Sequence, residues 1–418
     1  MYLHMEGKVF MISVEKALQI VLDNTPVLDT VTVPILDARC LVLAEDIVSL
    51  DDMPPFDMAM IDGFAVRSDD VVRAFQAAPV ILKLDGEIKA GCPSTHSLER
   101  GHAMKISGGA PVPCGADTIV PSEDAVRESA QKVKIYKYER GMANIFVKGE
   151  DIAAGSPVLA KGKTLAGADI ALLAAVGRRE VVCYRRPRVS FFASGNDLIP
   201  PDQPLQSGKI RAGNTFIVQC QLMEYGAEPI NLGVVGADSS EVRCNVQKAL
   251  SSDMFITSVG SSLEDFEFVK ATLQKSGLDL KFWKVAIRPG KPLIFGTIDS
   301  KPVFGLPGNW LSSLVILEEF VRPAIFKMQG KKDLRRTVVT AKLDKDVKGG
   351  GGITHYVRAV VKVTDEGFLA IPTGSRNSPS VMALSSANGF IVIPPDVDYL
   401  GVGEMARVQM ITSPTNLF

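Results

Sequence analysis

The stretch Phe282 to Leu311 gathers the residues best placed to do chemistry. It reads Phe-Trp-Lys-Val-Ala-Ile-Arg-Pro-Gly-Lys-Pro-Leu-Ile-Phe-Gly, a short hairpin-like gap, then Val-Phe-Gly-Leu-Pro-Gly-Asn-Trp-Leu. Lys284, Arg288 and Lys291 crowd its first Gly/Pro break, and Gly305 to Asn309 form a second break that opens a helix-like segment at Trp310. A helix start leaves backbone N–H groups unpaired and carries partial positive charge, so it suits an anion. Fixed cations beside such a start suggest a phosphate or oxyanion site. A plain loop with solvated lysines fits these residues about equally well.

Those residues need a frame, and the sequence around them supplies one. From Arg188 onward, strand-like and helix-like runs alternate: Val189–Ala193, Thr215–Tyr225, Pro229–Val235, Ser239–Leu250, Met254–Ser258 and Glu264–Ser276. Such βα units imply a mostly parallel sheet covered on both faces, with ligands off the carboxyl ends of the strands. One rim would then carry Ser194 to Asp197, Asp238, Ser258 to Glu267 and Gly305 to Asn309. Asp197, Asp238 and Glu267 near the cations suit Mg²⁺-assisted phosphoryl chemistry, since Mg²⁺ needs only one or two carboxylates beside phosphate oxygens and water. Each acid also fits the plainer role of turn residue or helix cap, and Asp238 before Ser239 fits a cap well. No Walker motif, nucleophile elbow or His-based dyad competes.

Around this α/β segment, 187–331, the chain divides further. Residues 7–53 and 139–186 read as a connector in two pieces, with a helix starting after Ser13. Residues 54–138 read as a β-rich module of short strands between turns, in which Asp62 precedes Gly63 as a turn acid commonly does. After about Lys332 the helical pattern gives way to strand-like runs, predicting an all-β terminal domain over 332–418. With 418 residues several domains are expected. The net charge of −1, with both signs interspersed, argues against a nucleic-acid or membrane-surface partner. Six scattered cysteines without a CxxC, together with four isolated histidines, fit a reducing compartment and give no zinc signature. No apolar run of about 18 residues and no signal-like start is seen, so a soluble, cytoplasmic protein is expected.

Ordered phrases along nearly the whole chain resemble the molybdopterin molybdenumtransferase family (MoeA and the E domain of gephyrin). They are Pro54-Pro-Phe-Asp57, Asp62-Gly-Phe-Ala-Val-Arg67, Gly109-Ala-Pro-Val-Pro113, Gly149-Glu-Asp-Ile152, Lys284-Val-Ala-Ile-Arg-Pro-Gly-Lys-Pro292 and Gly305-Leu-Pro-Gly-Asn309. The resemblance implies a doubly wound α/β molybdopterin-binding domain, a β-rich second domain and a C-terminal barrel-like β-domain. It also implies a homodimer supplied by a molybdopterin adenylyltransferase. The implied reaction is insertion of molybdate into adenylylated molybdopterin, with Mg²⁺-dependent release of AMP. Carried over by position, Lys284, Arg288, Lys291 and Pro292 would hold molybdate and substrate phosphate, while Arg358 and Ser378 would close the oxyanion site. Ser194, Gly308 and Asn309 would line the substrate rim. Asp197, Asp238 and Glu267 would be catalytic acids and the Mg²⁺ ligands, and Asp62 would reach the cleft from the partner subunit.

Several positions depart from the family pattern: Met58 and Ala59 replace polar residues, Ala212 replaces an acid, Val259 replaces a glycine and Trp310 replaces a proline. A β-branched Val259 puts a Cβ where bare backbone could approach phosphate. These changes support an alternative, a catalytically impaired paralogue that binds pterin or acts as a scaffold.

Overall fold

The computed structural model describes residues 11–92, 97–137, 141–260, 262–374, 380–413 and 415–416. Ser13 caps the first helix, α1 (Val14–Asp23), by accepting from the Lys16 N–H, and Val14, Ala17 and Val21 form its buried face. Strand β1 (Thr30–Pro34) pairs antiparallel with β2 (Glu180–Tyr184), so two stretches far apart in sequence share one sheet. Between them, residues 63–135 contribute a six-stranded sheet.

The α/β layer begins with β3 (Arg188–Ser194) and α2 (Asn214–Glu224), followed by β4 (Glu228–Val235) and α3 (Ser239–Ala249). Next come β5 (Met254–Val259), α4 (Leu263–Lys275), β6 (Asp279–Lys284), β7 (Pro292–Ile298), β8 (Lys301–Leu306), α5 (Trp310–Ile316) and α6 (Arg322–Met328). The sheet order is β4-β3-β5-β8-β7-β6. Its first four strands are parallel, and β7 and β6 add an antiparallel edge. Asp299 and Ser300 turn the β7–β8 hairpin with φ of 50° and 63°, the left-handed geometry that two-residue hairpins favour.

Alternate residues of each strand explain the two covers. Phe191, Ile256 and Phe304 pack with α1, α2, α5 and α6, whereas Phe192, Phe255 and Val303 pack with α3 and α4. Near-continuous burial along β3 and β5 is what a parallel strand covered on both faces requires.

The C-terminal part comprises β9 (Val338–Leu343), β10 (Thr354–Thr364), β11 (Gly367–Pro372), β12 (Gly389–Ile393) and β13 (Met405–Met410). Pairings β10–β11, β11–β9, β9–β13, β13–β12 and β12–β10 close these five strands into a barrel. Closure removes exposed sheet edges. The expectation of an all-β ending needs one correction: Ser380 caps a one-turn helix over Val381–Ser385, too short to show a helical period.

A π-turn over Leu317–Val321 joins α5 to α6 and sends two successive acids in different directions. Glu318 accepts from the Tyr225 hydroxyl (2.9 Å) and from Arg336 Nε (2.7 Å), inside the α/β layer and its exit. Glu319 accepts from Tyr356 Oη on β10 (2.9 Å) and Gln409 Nε2 on β13 (2.6 Å), and so ties the barrel to the layer. No helix among the described residues is long and apolar enough to cross a membrane.

Candidate functional site

The turn between β6 and β7 delivers the cations. Lys284 lies opposite Pro292 in the antiparallel register, and Val285 N donates to Lys291 O across the turn (3.1 Å). Within the turn, Ile287 and Arg288 run parallel to Thr354 and His355 of β10. Gly290 has φ 106° and lies so close to Ile316 that a Cβ would sit 3.2 Å from its Cγ1, so this turn needs glycine. The result is a cleft of about 720 Å³ between the layer and the barrel, lined by Arg288, Lys291, Pro292, Asn309, Tyr356 and Arg358. Arg358 is 3% exposed and donates from Nη1 to Ser380 O (3.1 Å). Burial holds its guanidinium pKa below the usual value. A desolvated cation beside two others favours an anion that can accept from all three.

The second break continues this cleft. Asn309 caps α5 by accepting from the Ser312 N–H (3.1 Å), and Ser313 Oγ donates to Pro307 O (2.7 Å). Pro292, Asn309 and Ser312 line both the large cleft and a neighbouring cavity of about 330 Å³, which also touches Gly260, Phe266 and Gly308. Gly260 and Gly308 lead on into a recess of about 40 Å³ lined by Asp197, Asn214, Ser258 and Trp310. One groove therefore follows the carboxyl ends of β3, β5 and β8 and opens against the barrel. Lys291 and the Gly308 turn lie on the same side of the sheet.

The other expected residues are placed less uniformly. Ser194 is buried at the end of β3, with Oγ 3.5 Å from Gly236 O, and lines none of these cavities. Lys284 stacks over the Trp283 ring at 3.7 Å rather than facing the cleft, and Lys270 covers the same ring at 3.9 Å. Asp62 accepts from Gly108 N (2.7 Å) in the six-stranded part, away from the groove within one chain. Ser378 lies outside the described residues.

The three acids do not assemble. Asp197 lines the small recess, and its carboxylate has no hydrogen-bond partner among the described residues. Asp238 is the N-cap of α3, accepting from Ser240 N (2.7 Å) and Glu241 N (3.2 Å). Its hydrogen bonds, that from the Ser240 hydroxyl foremost, hold its pKa below the usual carboxylate value. Glu267 is ion-paired with Lys270 one turn along α4. Among the described residues no three of His, Cys, Asp or Glu come together as a metal-ligand set. Within the described residues Asp197, Asp238 and Glu267 are thus not gathered into one three-residue set: Asp238 serves as a cap and Glu267 is in an in-helix ion pair.

Two further residues belong to the groove: Asn214, which sequence reasoning did not single out, and Trp310, which stands where the family has a proline. Asn214 donates from Nδ2 to Gly308 O (2.6 Å) and Ser258 Oγ (3.3 Å), bracing the rim. Trp310 packs its six-membered ring on Gly213, where a Cβ would overlap Cη2, Cζ3 and Cζ2. The one available signal was the Gly213-Asn214 pair ahead of a helical run.

A parallel α/β layer with a cation-lined cleft at its strand ends, closed by a five-stranded barrel, defines a multidomain α/β protein. Comparison with known proteins makes this specific. Residues 12–177 match the MoeA N-terminal region (domains I and II), 190–327 a probable molybdopterin binding domain, and 340–411 the MoeA C-terminal region (domain IV). The molybdopterin molybdenumtransferase of Staphylococcus epidermidis is 31% identical over 409 residues, covering 97% of each chain. That of Bacillus subtilis is 34% identical over 388 residues, covering 92% of this chain and 90% of the relative. The molybdopterin biosynthesis moea protein from Pyrococcus horikosii superposes with a TM-score of 0.82 at 32% identity, covering 97% of this chain and all of that one. The chain belongs to the molybdopterin molybdenumtransferase (MoeA) family.

Proposed function

We propose that this chain acts in molybdenum cofactor biosynthesis, inserting molybdate into adenylylated molybdopterin and releasing AMP. The observation that carries the reading is the shared groove: Arg288, Lys291 and Arg358 from two parts of the chain line one cleft that runs into the Gly308 turn. In this reading the cleft cations hold the oxygens of molybdate and of the substrate's phosphates. Charge-assisted hydrogen bonds of this kind orient the anhydride and stabilise charge that grows as it breaks. Pro292 and Asn309 shape the floor between the cleft and the neighbouring cavity. Lys284 and Ser194 act from just outside it, the first by raising the positive potential and the second by fixing the end of β3.

No three-residue ligand set is present among the described residues. The proposed Mg²⁺ would be held mainly by substrate phosphate oxygens and water, with at most one or two of Asp197, Asp238 and Glu267, because this hard cation needs few carboxylates. The proposal extends to a cytoplasmic homodimer in which Asp62 of the partner subunit reaches the cleft, fed by a molybdopterin adenylyltransferase.

A second reading, pterin binding without turnover, is favoured by the engagement of Asp238 and Glu267 in local structure. AMP release from adenylylated molybdopterin, with Mg²⁺ and with or without molybdate, separates the two. Molybdate-dependent release supports the transferase. Tight binding with no release leaves only the binding paralogue.

A further inference from the structure

We propose that Glu319 is a positioning residue of the cleft: through Tyr356 and Gln409 it holds the barrel face carrying Arg358 against the layer that carries Arg288 and Lys291. This inference rests on the reading that the cleft binds an oxyanion. It adds what sets the spacing of the cleft's two walls.

The walls belong to different sheets. Arg288 and Lys291 come from the turn between β6 and β7, and Arg358 from β10. On β10, Val357, Ala359 and Val361 pack inside the barrel, so Tyr356 and Arg358 share the opposite, outward face. Both line the cleft. The register carries this face across the barrel: Arg358 lies opposite Phe390 of β12, and Phe390 opposite Gln409 of β13. Glu319, partly buried on the π-turn, accepts from Tyr356 Oη (2.9 Å) and Gln409 Nε2 (2.6 Å). Its grip therefore spans three strands, β10, β12 and β13. The Tyr356 ring meets Phe390 edge-on at 6.2 Å and belongs to the same core as Val14 of α1 and Leu314 of α5. Beside the backbone ladder that pairs Arg288 with His355, this carboxylate is the side-chain tie that keeps β10 on the layer.

Packing alone does not call for an acid here. A glutamine would accept the Tyr356 bond with no charge to desolvate, and desolvating a carboxylate is costly. Burial raises the Glu319 pKa from 4.5 to about 7, against the pull of Gln409, Tyr356 and Arg322 of α6, while Glu318 on the same turn adds to the rise. Glu15 of α1 and Arg407 of β13 act on Tyr356. The closed interface thus keeps a proton that an opened, wetted one releases above 4.5. Closure is favoured at the acid end of that window and weakens as pH rises through it.

The test measures molybdate binding to the full chain by calorimetry at pH 6 and pH 8, where molybdate stays a dianion. Amide hydrogen exchange at Thr354, whose N–H donates to Ala286 O (3.0 Å), reads the barrel–layer ladder without ligand. Wild-type affinity is expected to fall between the two pH values by roughly three- to tenfold, ten being about the most that one group titrating at 4.5 and about 7 can impose. Glu319→Gln keeps both hydrogen bonds once the Gln409 amide turns over, so it is expected to match wild type at pH 6 and to lose the pH dependence. Glu319→Leu and Tyr356→Phe cut the tie. Each is expected to weaken molybdate binding at pH 6 by about tenfold and to speed Thr354 exchange. Affinity within about twofold of wild type in both of these variants overturns the proposal, even where the unfolding midpoint has dropped. So does a pH dependence that persists in Glu319→Gln. If Glu319→Leu does not fold, Tyr356→Phe and Glu319→Gln decide. A wild-type chain that binds no molybdate sinks the oxyanion reading, and Thr354 exchange in the variants then decides this one: faster exchange upholds the tie, unchanged exchange ends it.

Discussion

Arg288 lies directly opposite His355: the ladder pairing Ile287 with Thr354 and Arg288 with His355 makes the cation-bearing turn of the α/β layer part of the barrel wall. Arg358 follows three residues further along the same barrel strand. The backbone pairing helps bring like charges to one cleft. In the proposed function an anion relieves their mutual repulsion.

Lys291 is exposed and forms no ion pair among the described residues, so its removal should be felt mainly by the ligand. Lys291→Ala is expected to weaken molybdate-dependent AMP release by about 10- to 100-fold, the worth of one charge-assisted hydrogen bond. Its thermal midpoint should stay near wild type. Steady-state kinetics in molybdate, paired with thermal denaturation, checks both halves.

Asp238 gives a sharper contrast, because a cap and a metal ligand respond differently to the same exchange. Asn is as good a cap as Asp, whereas Ala loses about 1 kcal/mol. Asp238→Asn should therefore keep both stability and AMP release, while Asp238→Ala should lower the unfolding midpoint and leave turnover intact. Loss of turnover in the Asn variant would restore Asp238 to the chemistry.

Burial raises the Glu319 pKa from 4.5 to about 7, although Gln409 and Tyr356 donate to its carboxylate and Arg322 lies nearby; Glu318 adds to the rise. Between pH 4.5 and 7 the folded state holds a proton that the unfolded chain has released. Stability contributed by this group is therefore greatest at the acid end and falls as pH rises through the window. The full swing is on the order of 3 kcal/mol. Glu319→Gln should flatten the pH dependence of the unfolding midpoint across this range, measured against wild type at pH 5 and pH 7.5.

The α/β frame was legible because its strands and helices carry their own periods: Val189–Ala193 and Met254–Ser258 read as buried strands, and the observed β3 and β5 contain them. The β7–β8 hairpin was visible at its gap. The barrel was expected from the family resemblance rather than from the strand pattern, since register between β10 and β12 depends on partners dozens of residues apart. The acids were the least legible. An Asp before two serines reads alike as cap or ligand, and Glu267 is claimed by Lys270 through helix geometry that sequence spacing permits but does not compel. Asn214 escaped notice because it braces the Gly308 turn across 94 residues of sequence, a contact only packing reveals.

The most direct test of the central claim is where the oxyanion binds. In crystals grown with molybdate, anomalous scattering is expected to place molybdenum in the cleft within reach of Arg288, Lys291 and Arg358, and Lys291→Ala should weaken or abolish that peak. A peak elsewhere, with this cleft empty at saturating molybdate, would contradict the proposed site.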